Sequence, residues 1–363
     1  MKKIHLIAAA RPNFMKIAPL FHELVERPGL TPVIVHTGQH YDLNMSDVFF
    51  KDFNLPDPHI HLGVGSGSHA QQTGNVMIAY EKILLKEKPD LVIVVGDVNS
   101  TVAATLAAVK LGITTAHLEA GLRSFDRTMP EEINRIVTDS IADYLWTPSP
   151  DGDQNLLNEG IHKEKITRVG NIMIDSLEML RSTIENMDVP KKFNRKKGSY
   201  GLITLHRPSN VDNPETLEKL CKLLKMISLK LPLIFPVHPR TLARLLKTGN
   251  MSLLEGGGTI TLTTPLGYTE FMNLVMGSRL LITDSGGVQE ESTYLGIPCL
   301  TLRSNTERPV TVTQGTNRLC SPDTLSDMVG LALAGNFSRG TRPDLWDGRT
   351  AKRVADCIER LNL

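Results

Sequence analysis

Cysteine is scarce: four in 363 residues, Cys221, Cys299, Cys320 and Cys357, with no CxxC pair among them. That pattern signals neither a disulfide framework nor a zinc site, and it points to a reduced, cytoplasmic setting. Charge of one sign is also missing, because 40 Lys and Arg stand against 39 Asp and Glu for a formal charge of +1. Such a balance argues against nucleic acid and against a polybasic membrane anchor, so an anionic ligand would need a local basic pocket. No apolar run approaches the roughly 20 residues of a membrane span. The opening MKKIHLIAAARP has two lysines before a short apolar run, but Arg11 and Pro12 interrupt it at once. It reads as a buried first strand entering a loop rather than a secretory core. A G-x-G-x-x-G turn directly after a strand is absent, since LGVGSGSH at 62–69 follows no clear strand, and NAD is therefore not supported. Neither a cofactor nor a metal is called for.

What is present is alternation. Short apolar runs at 4–9, 32–36, 91–95, 114–117 and 144–146 read as strands, with helical spacing between them at 14–26, 69–86, 101–111 and 131–141. The second half repeats the pattern, with strands at 200–204, 233–236, 260–262, 280–282 and 298–300. Repeated βα units predict doubly wound parallel sheets, and the length suits two such domains of roughly 150–200 residues each. A polar stretch at 187–199, with Pro190 and a lysine-rich run, reads as a solvated loop or turn.

Four segments carry chemistry. At 281–291 an apolar strand runs through Asp284 and Ser285 into Gly286 and Gly287 and then a helix. Glycines let the backbone approach an anion, and the free N–H groups of a helix start favour a diphosphate there. Glu291, more than one turn on, could accept hydrogen bonds from ribose hydroxyls. Asp97 in GDVNST and Glu119 in HLEAGLR each follow a strand, and the carboxyl edge of an open α/β sheet is where ligands sit. Either could equally cap a helix. Glu131, in MPEEINR, suits an ordinary helix start after a proline and is structural on these grounds. His206 and Arg207 end the first strand of the second half and could meet a phosphate. Arg11 and Lys16, which flank the first βα turn, and Arg308 after a later strand add positive charge, with surface solvation as the plain alternative.

Taken together, RPNFMK, HTGQH, GDVNST, HLEAGLR, MPEEINR, TLHRPSN, PVHPR, DSGGVQEE and TERPV occur in the order seen in the non-hydrolysing UDP-N-acetylglucosamine 2-epimerases, which the chain resembles over nearly its whole length. The resemblance implies an α/β fold of two Rossmann-like domains facing across a cleft, similar to GT-B glycosyltransferases, in a homodimer. Its expected boundaries are 1–172 for the domain with the catalytic acids, 173–350 for the UDP-binding domain and 351–363 for a helix returning to the first domain. Carried over by position, the catalytic residues are Asp97, Glu119, Glu131 and His206, with Glu131 promoted by the resemblance alone. Substrate contacts fall on Arg11, Lys16, Ser285, Gly286, Gly287, Glu291 and Arg308. Gln39, Gln71 and His238 correspond to a site where some bacterial relatives bind a second, activating substrate molecule. One departure is visible: many relatives have Arg-Glu-Asn after the His-Arg pair, and here Pro208, Ser209 and Asn210 follow. A hydrolysing epimerase, an epimerase of a UDP-diacetamido uronic acid sugar, a retaining glycosyltransferase and a non-catalytic UDP-sugar sensor stay open as alternatives.

Overall fold

The computed structural model describes residues 1–9, 11–38, 50, 52–255, 257–337 and 340–363. By internal packing the chain forms two compact units, Met1–Leu180 with Asp344–Leu363, and Arg181–Pro343. Each is a parallel sheet flanked by helices.

In the first unit the strands are β1 (Lys2–Ala8), β2 (Leu30–His36), β3 (Ile60–His61), β4 (Leu91–Val95), β5 (Thr115–Leu118), β6 (Tyr144–Thr147) and β7 (Ile166–Arg168), in the spatial order β3-β2-β1-β4-β5-β6-β7. The central strands are almost wholly apolar and buried, as LVIVV of β4 illustrates, because helices cover both faces of a parallel sheet. Leu6 of β1 pairs with Ile34 on one side and Ile93 on the other. The principal helices are α1 (Arg11–Val25), α2 (His69–Glu87), α3 (Asn99–Lys110), α4 (Pro130–Ile141), α5 (Pro150–Asn158) and α6 (Ile172–Glu185). Ser68 and Gln71 form a capping box at the start of α2, satisfying two amides that the first turn would otherwise leave open.

The second unit holds β8 (Gly201–Thr204), β9 (Leu233–Pro236), β10 (Ile260–Thr263), β11 (Leu280–Thr283), β12 (Cys299–Leu302) and β13 (Asn317–Cys320), in the order β10-β9-β8-β11-β12-β13. Its main helices are α7 (Pro214–Ser228), α8 (Pro239–Thr248), α9 (Tyr268–Gly277), α10 (Gly286–Leu295) and α11 (Leu325–Leu333). Leu217, Leu220, Leu224 and Ile227 of α7 recur at helical spacing and join the core with Leu233, Phe235, Leu280 and Ile282. The stretch at 187–199 departs from the expected loop: Val189–Lys192 is a short helix, and its Val189 and Pro190 are buried, anchored where Val189 N–H donates to Asn273 Oδ1 at 2.9 Å. The strands β3, β7 and β13 are additional to those expected.

The chain ends in α12 (Thr350–Arg360), which belongs to the first unit. Ala351, Val354, Ala355 and Ile358 form its buried stripe, and Val354 and Ile358 each contribute roughly 1.5–3 kcal/mol of burial. Arg27 at the end of α1 pairs with Asp356 at 2.8 Å and Glu359 at 3.2 Å. Trp346 Nε1 donates to the Pro148 carbonyl at 2.9 Å, and Asp175 Oδ1 accepts the Ala351 amide at 2.8 Å, capping the helix.

Both sheets reverse their winding beside the first strand, between β1 and β4 and between β8 and β11. In open α/β sheets, the crevice at the carboxyl ends of such strands is the ligand position. The loops after β4 and β5, and those after β8 and β11, therefore hold the candidate residues.

Candidate active site

In the first unit, β5 delivers Glu119 into a sharp turn. Its backbone is left-handed, at φ +74°, a conformation that costs a non-glycine residue about 1–3 kcal/mol and that clusters at functional sites. The turn is held because the Glu119 and Ala120 amides both donate to the Trp146 carbonyl, at 3.0 and 3.1 Å, and because Gly121 packs against α5. A Cβ on Gly121 would lie 2.3 Å from the Gly152 carbonyl oxygen. The Glu119 side chain is buried and forms an ion pair through Oε2 with Lys16 of α1. Its Oε1 is buried with no hydrogen-bond partner, a state that costs about 1–3 kcal/mol unless a ligand satisfies it. A Cβ on Gly96, in the turn after β4, would come within 3.1 Å of Lys16 Nζ and 3.5 Å of Glu119 Oε2. The structure thus brings Lys16, Glu119 and the Gly96–Asp97 turn together.

Asp97 is about one-third exposed. Arg135 of α4 donates to its Oδ2 from Nε at 3.0 Å and from Nη2 at 2.6 Å. Arg135 also reaches Glu132 Oε2 at 2.5 Å, while Glu132 accepts the Ser124 and Phe125 amides. Of the two acids opening α4, then, Glu132 is committed to holding the 124–125 loop. Glu131 stays half-buried in the first turn. Arg135, one turn beyond Glu131, was not singled out from sequence; an arginine one helical turn from an acid is too common a pattern to mark it. Arg11 begins α1, and its side chain lies outside the described ones.

In the second unit, Asp284 at the end of β11 is fully buried and organises the loop after β8. It accepts the His206 amide at 3.0 Å, the Arg207 amide at 2.9 Å and Asn210 Nδ2 at 3.0 Å, and its Oδ1 lies 3.0 Å from His206 Nδ1. Burial pushes its carboxyl upward, but His206, Asn210 and the backbone donors outweigh burial and hold it below its ordinary value. Pro208 opens a short helix, Pro208–Val211, and Asn210 also donates to the Leu302 carbonyl at 3.0 Å. The departure at 208–210 is thereby part of the frame that fixes His206.

Ser285 precedes α10 as its cap residue, and Gly286 begins the helix. A Cβ on Gly286 would sit 2.9 Å from both Arg308 Nη1 and Glu307 Oε1, whereas one on Gly287 would meet open space. Glycine at 286 admits the arginine, and glycine at 287 leaves the helix start bare for an anion. Arg308 pairs with Glu307 at 2.7 Å and Glu290 at 2.9 Å, and Arg303 pairs with Glu307 at 2.8 Å. Arg207 stands 3.9 Å from the same Glu307; burial and the neighbouring Arg303 lower its pKa. The guanidinium groups of Arg207, Arg303 and Arg308 thus converge around Glu307. Glu291 is buried, and burial pushes its carboxyl up to about 8, with Glu290 adding to the rise and the Tyr268 hydroxyl, donating to Oε1 at 2.8 Å, opposing it.

Of the second-substrate positions, Gln39 lies outside the described residues. Gln71 accepts the Ser68 amide at 3.0 Å within the capping box of α2. His238 caps α8 by accepting the Arg240 amide at 3.2 Å, with its ring centroid 5.3 Å from that of His206.

Comparison with known proteins adds an independent line. The family model described as UDP-N-acetylglucosamine 2-epimerase matches residues 22–359. The UDP-N-acetylglucosamine 2-epimerase of Methanococcus maripaludis is 43% identical over 99% of this chain and 98% of its own length. The UDP-2,3-diacetamido-2,3-dideoxy-D-glucuronate 2-epimerase of Pseudomonas aeruginosa is 38% identical over 99% of this chain and 100% of its own. Among solved structures, the UDP-GlcNAc 2-epimerase of Methanocaldococcus jannaschii in complex with UDP-GlcNAc and UDP is 42% identical. It superposes with a TM-score of 0.89 over 98% of this chain and 99% of that one.

Proposed function

The chain belongs to the UDP-N-acetylglucosamine 2-epimerase family, and from that premise we propose that it interconverts UDP-N-acetylglucosamine and UDP-N-acetylmannosamine without net hydrolysis. The observation that carries the reading is Glu119: a buried carboxylate in a left-handed backbone, tied through one oxygen to Lys16 and with the other oxygen unpartnered. A strained backbone position carrying an unsatisfied buried acceptor supports a group kept for a substrate proton.

Carbon 2 of an N-acetylhexosamine has no adjacent ketone, so its proton becomes removable only as the C1–O bond to UDP breaks. The electron pair of that bond leaves with the UDP oxygen, a carboxylate takes the C2 proton, and the C1–C2 double bond of 2-acetamidoglucal forms. Return of a proton to the opposite face of C2, with re-addition of UDP at C1, gives the epimer. No electrons are gained or lost overall. Asp97, Glu119 and Glu131 are assigned to the proton transfers, with Arg135 giving Asp97 two charge-assisted hydrogen bonds. His206, steadied by Asp284, is assigned with Arg11, Lys16 and Arg308 to the departing diphosphate, for which Ser285, Gly286 and Gly287 supply the helix start. Glu291 is assigned to the ribose.

A cytoplasmic homodimer is part of the same reading, and no described helix is long and apolar enough to cross a membrane. Activation by a second substrate molecule through Gln39, Gln71 and His238 belongs to it too, and a purely hyperbolic rate curve counts against that part. The identity to the Pseudomonas aeruginosa enzyme supports one other reading, a UDP-diacetamido uronic acid substrate. Incubation with UDP-N-acetylglucosamine in deuterated water, followed by proton NMR, tests the assignment. Deuterium at C2 with the manno epimer appearing supports it, free sugar plus UDP selects a hydrolysing enzyme, and no exchange redirects the search to the uronic acid sugars.

A further inference from the structure

His117 lies on β5, two residues before Glu119, and none of the roles above uses it. It is fully buried, and its ring touches the turn after β4 and the helix α4. Nε2 lies 2.9 Å from the carbonyl oxygen of Gly96, and Nδ1 lies 2.6 Å from Asp139 Oδ1. Asp139, also buried, uses Oδ2 to accept the Gly121 amide at 3.0 Å and the Arg123 guanidinium at 2.7 Å. Arg123 in turn grips Glu159 with two bonds of 2.7 Å. Both neighbours of the ring are acceptors: a carbonyl has no proton to give, and Asp139, already receiving two other donors, is ionised. Against its ordinary value Asp139 is held low, the cost of burial being outweighed by His117 and Arg123. The contacts of both ring nitrogens are therefore satisfied only when both carry a hydrogen.

The two loops reached this way are the ones that present Asp97 and Glu119. Each turns through left-handed backbone, Gly96 at φ +71°, Glu119 at +74° and Gly121 at +80°. The Gly96 amide already donates to the Leu118 carbonyl at 3.2 Å, and the His117 ring adds a second tie on the carbonyl side of the same glycine. Resting on the epimerase reading, we propose that His117 is the positioning residue of the acid group: with its ring set by Asp139, which itself holds the Gly121 amide, Nε2 donates to the Gly96 carbonyl and fixes the turn bearing Asp97, so that Asp97 and Glu119 keep a fixed separation across carbon 2. A misplacement of about 1 Å at such a site costs on the order of 100-fold in rate.

Two near-isosteric variants separate the contacts. In His117→Gln the amide nitrogen overlays Nε2 and still reaches the Gly96 carbonyl; in His117→Asn it overlays Nδ1 and reaches only Asp139. The expected result, with both melting at equal temperatures, is a kcat for His117→Gln within about tenfold of wild type and for His117→Asn lower by about 100-fold. KM and UDP affinity should stay within about threefold in both. Equal losses in the two variants, a loss that follows melting temperature, or a change in KM in place of kcat overturns the proposal. If the wild type does not turn over UDP-N-acetylglucosamine, the functional reading fails separately, and amide hydrogen exchange at 96–97 and 119–121 decides the positioning claim. Faster exchange in His117→Asn than in His117→Gln upholds it, and equal exchange overturns it. Should both variants fail to fold, ring nitrogen NMR of the wild type replaces them: two protonated nitrogens uphold the assignment and one bare nitrogen overturns it.

Discussion

The two units share a strand order and a switch point yet fill that position with opposite chemistry. In the first unit the loops after β4 and β5 carry carboxylates, Asp97 paired with Arg135 and Glu119 with Lys16. In the second, the loop after β11 and the segment after β12 present a bare helix start and a cluster of arginines around Glu307. The topology supplies only the crevice; the side chains on the loops give the first a set of carboxylates and the second a helix start among arginines. Glu119 also carries backbone strain that Ser285 does not, since it sits in left-handed backbone at φ +74° while Ser285 is extended at φ −80°.

This division breaks most visibly at Glu119. Glu119→Gln is expected to lower kcat by on the order of 10³ while leaving UDP affinity unchanged; a variant that loses UDP affinity and keeps turnover would abolish the distinction between the units. Glycines sharpen it next. Gly121→Ala drives a methyl into the Gly152 carbonyl from a left-handed position and is expected to cost about 3 kcal/mol of stability in urea unfolding. Gly287→Ala faces open space and is expected to change stability by no more than about 0.5 kcal/mol while weakening UDP binding in calorimetry.

Asp175, which caps α12 in the first unit, sharpens the comparison through pH. Burial pushes its carboxyl up to about 6 from 3.8, against the opposing bonds from Ala351 and Thr350. Because the folded value is raised, the associated stability is fully present below about pH 4 and is lost as pH rises through about 6. Asp175→Asn, which keeps the acceptor without titrating, should therefore gain on wild type by about 2 kcal/mol between pH 4 and pH 7.5, read from unfolding at both values. The smallest effect belongs to the second unit. If ionised Glu291 accepts the ribose hydroxyls, UDP affinity should rise with pH through about 8; removing the Tyr268 hydroxyl takes away the donor that opposes this raised value, so Tyr268→Phe should shift that rise to higher pH. At pH 7 it should weaken binding by about threefold.

Much of this was legible before any coordinates. The all-apolar runs of β4 and β11 and the helical spacing of α2 and α4 point to parallel sheets with covered faces, and the acids after β4 and β5 fall at the carboxyl edge of the first sheet. The two-residue β3 and three-residue β7 escaped because so short a run carries no periodicity. Arg135 and Tyr268 escaped because partners from distant elements leave no local pattern.

Local order, element type and the identity of the reactive side chains are thus determined by the sequence itself, since they depend on residue spacing and on a few glycines and prolines. The tertiary structure alone decided that Lys16 meets Glu119 across 103 residues, that among the described residues Glu119 is left with one open oxygen, and that the His117 ring reaches the turn after β4 directly and the turn after β5 through Asp139. Those facts arise from packing, which brings distant segments together and removes the water that would otherwise satisfy their polar groups.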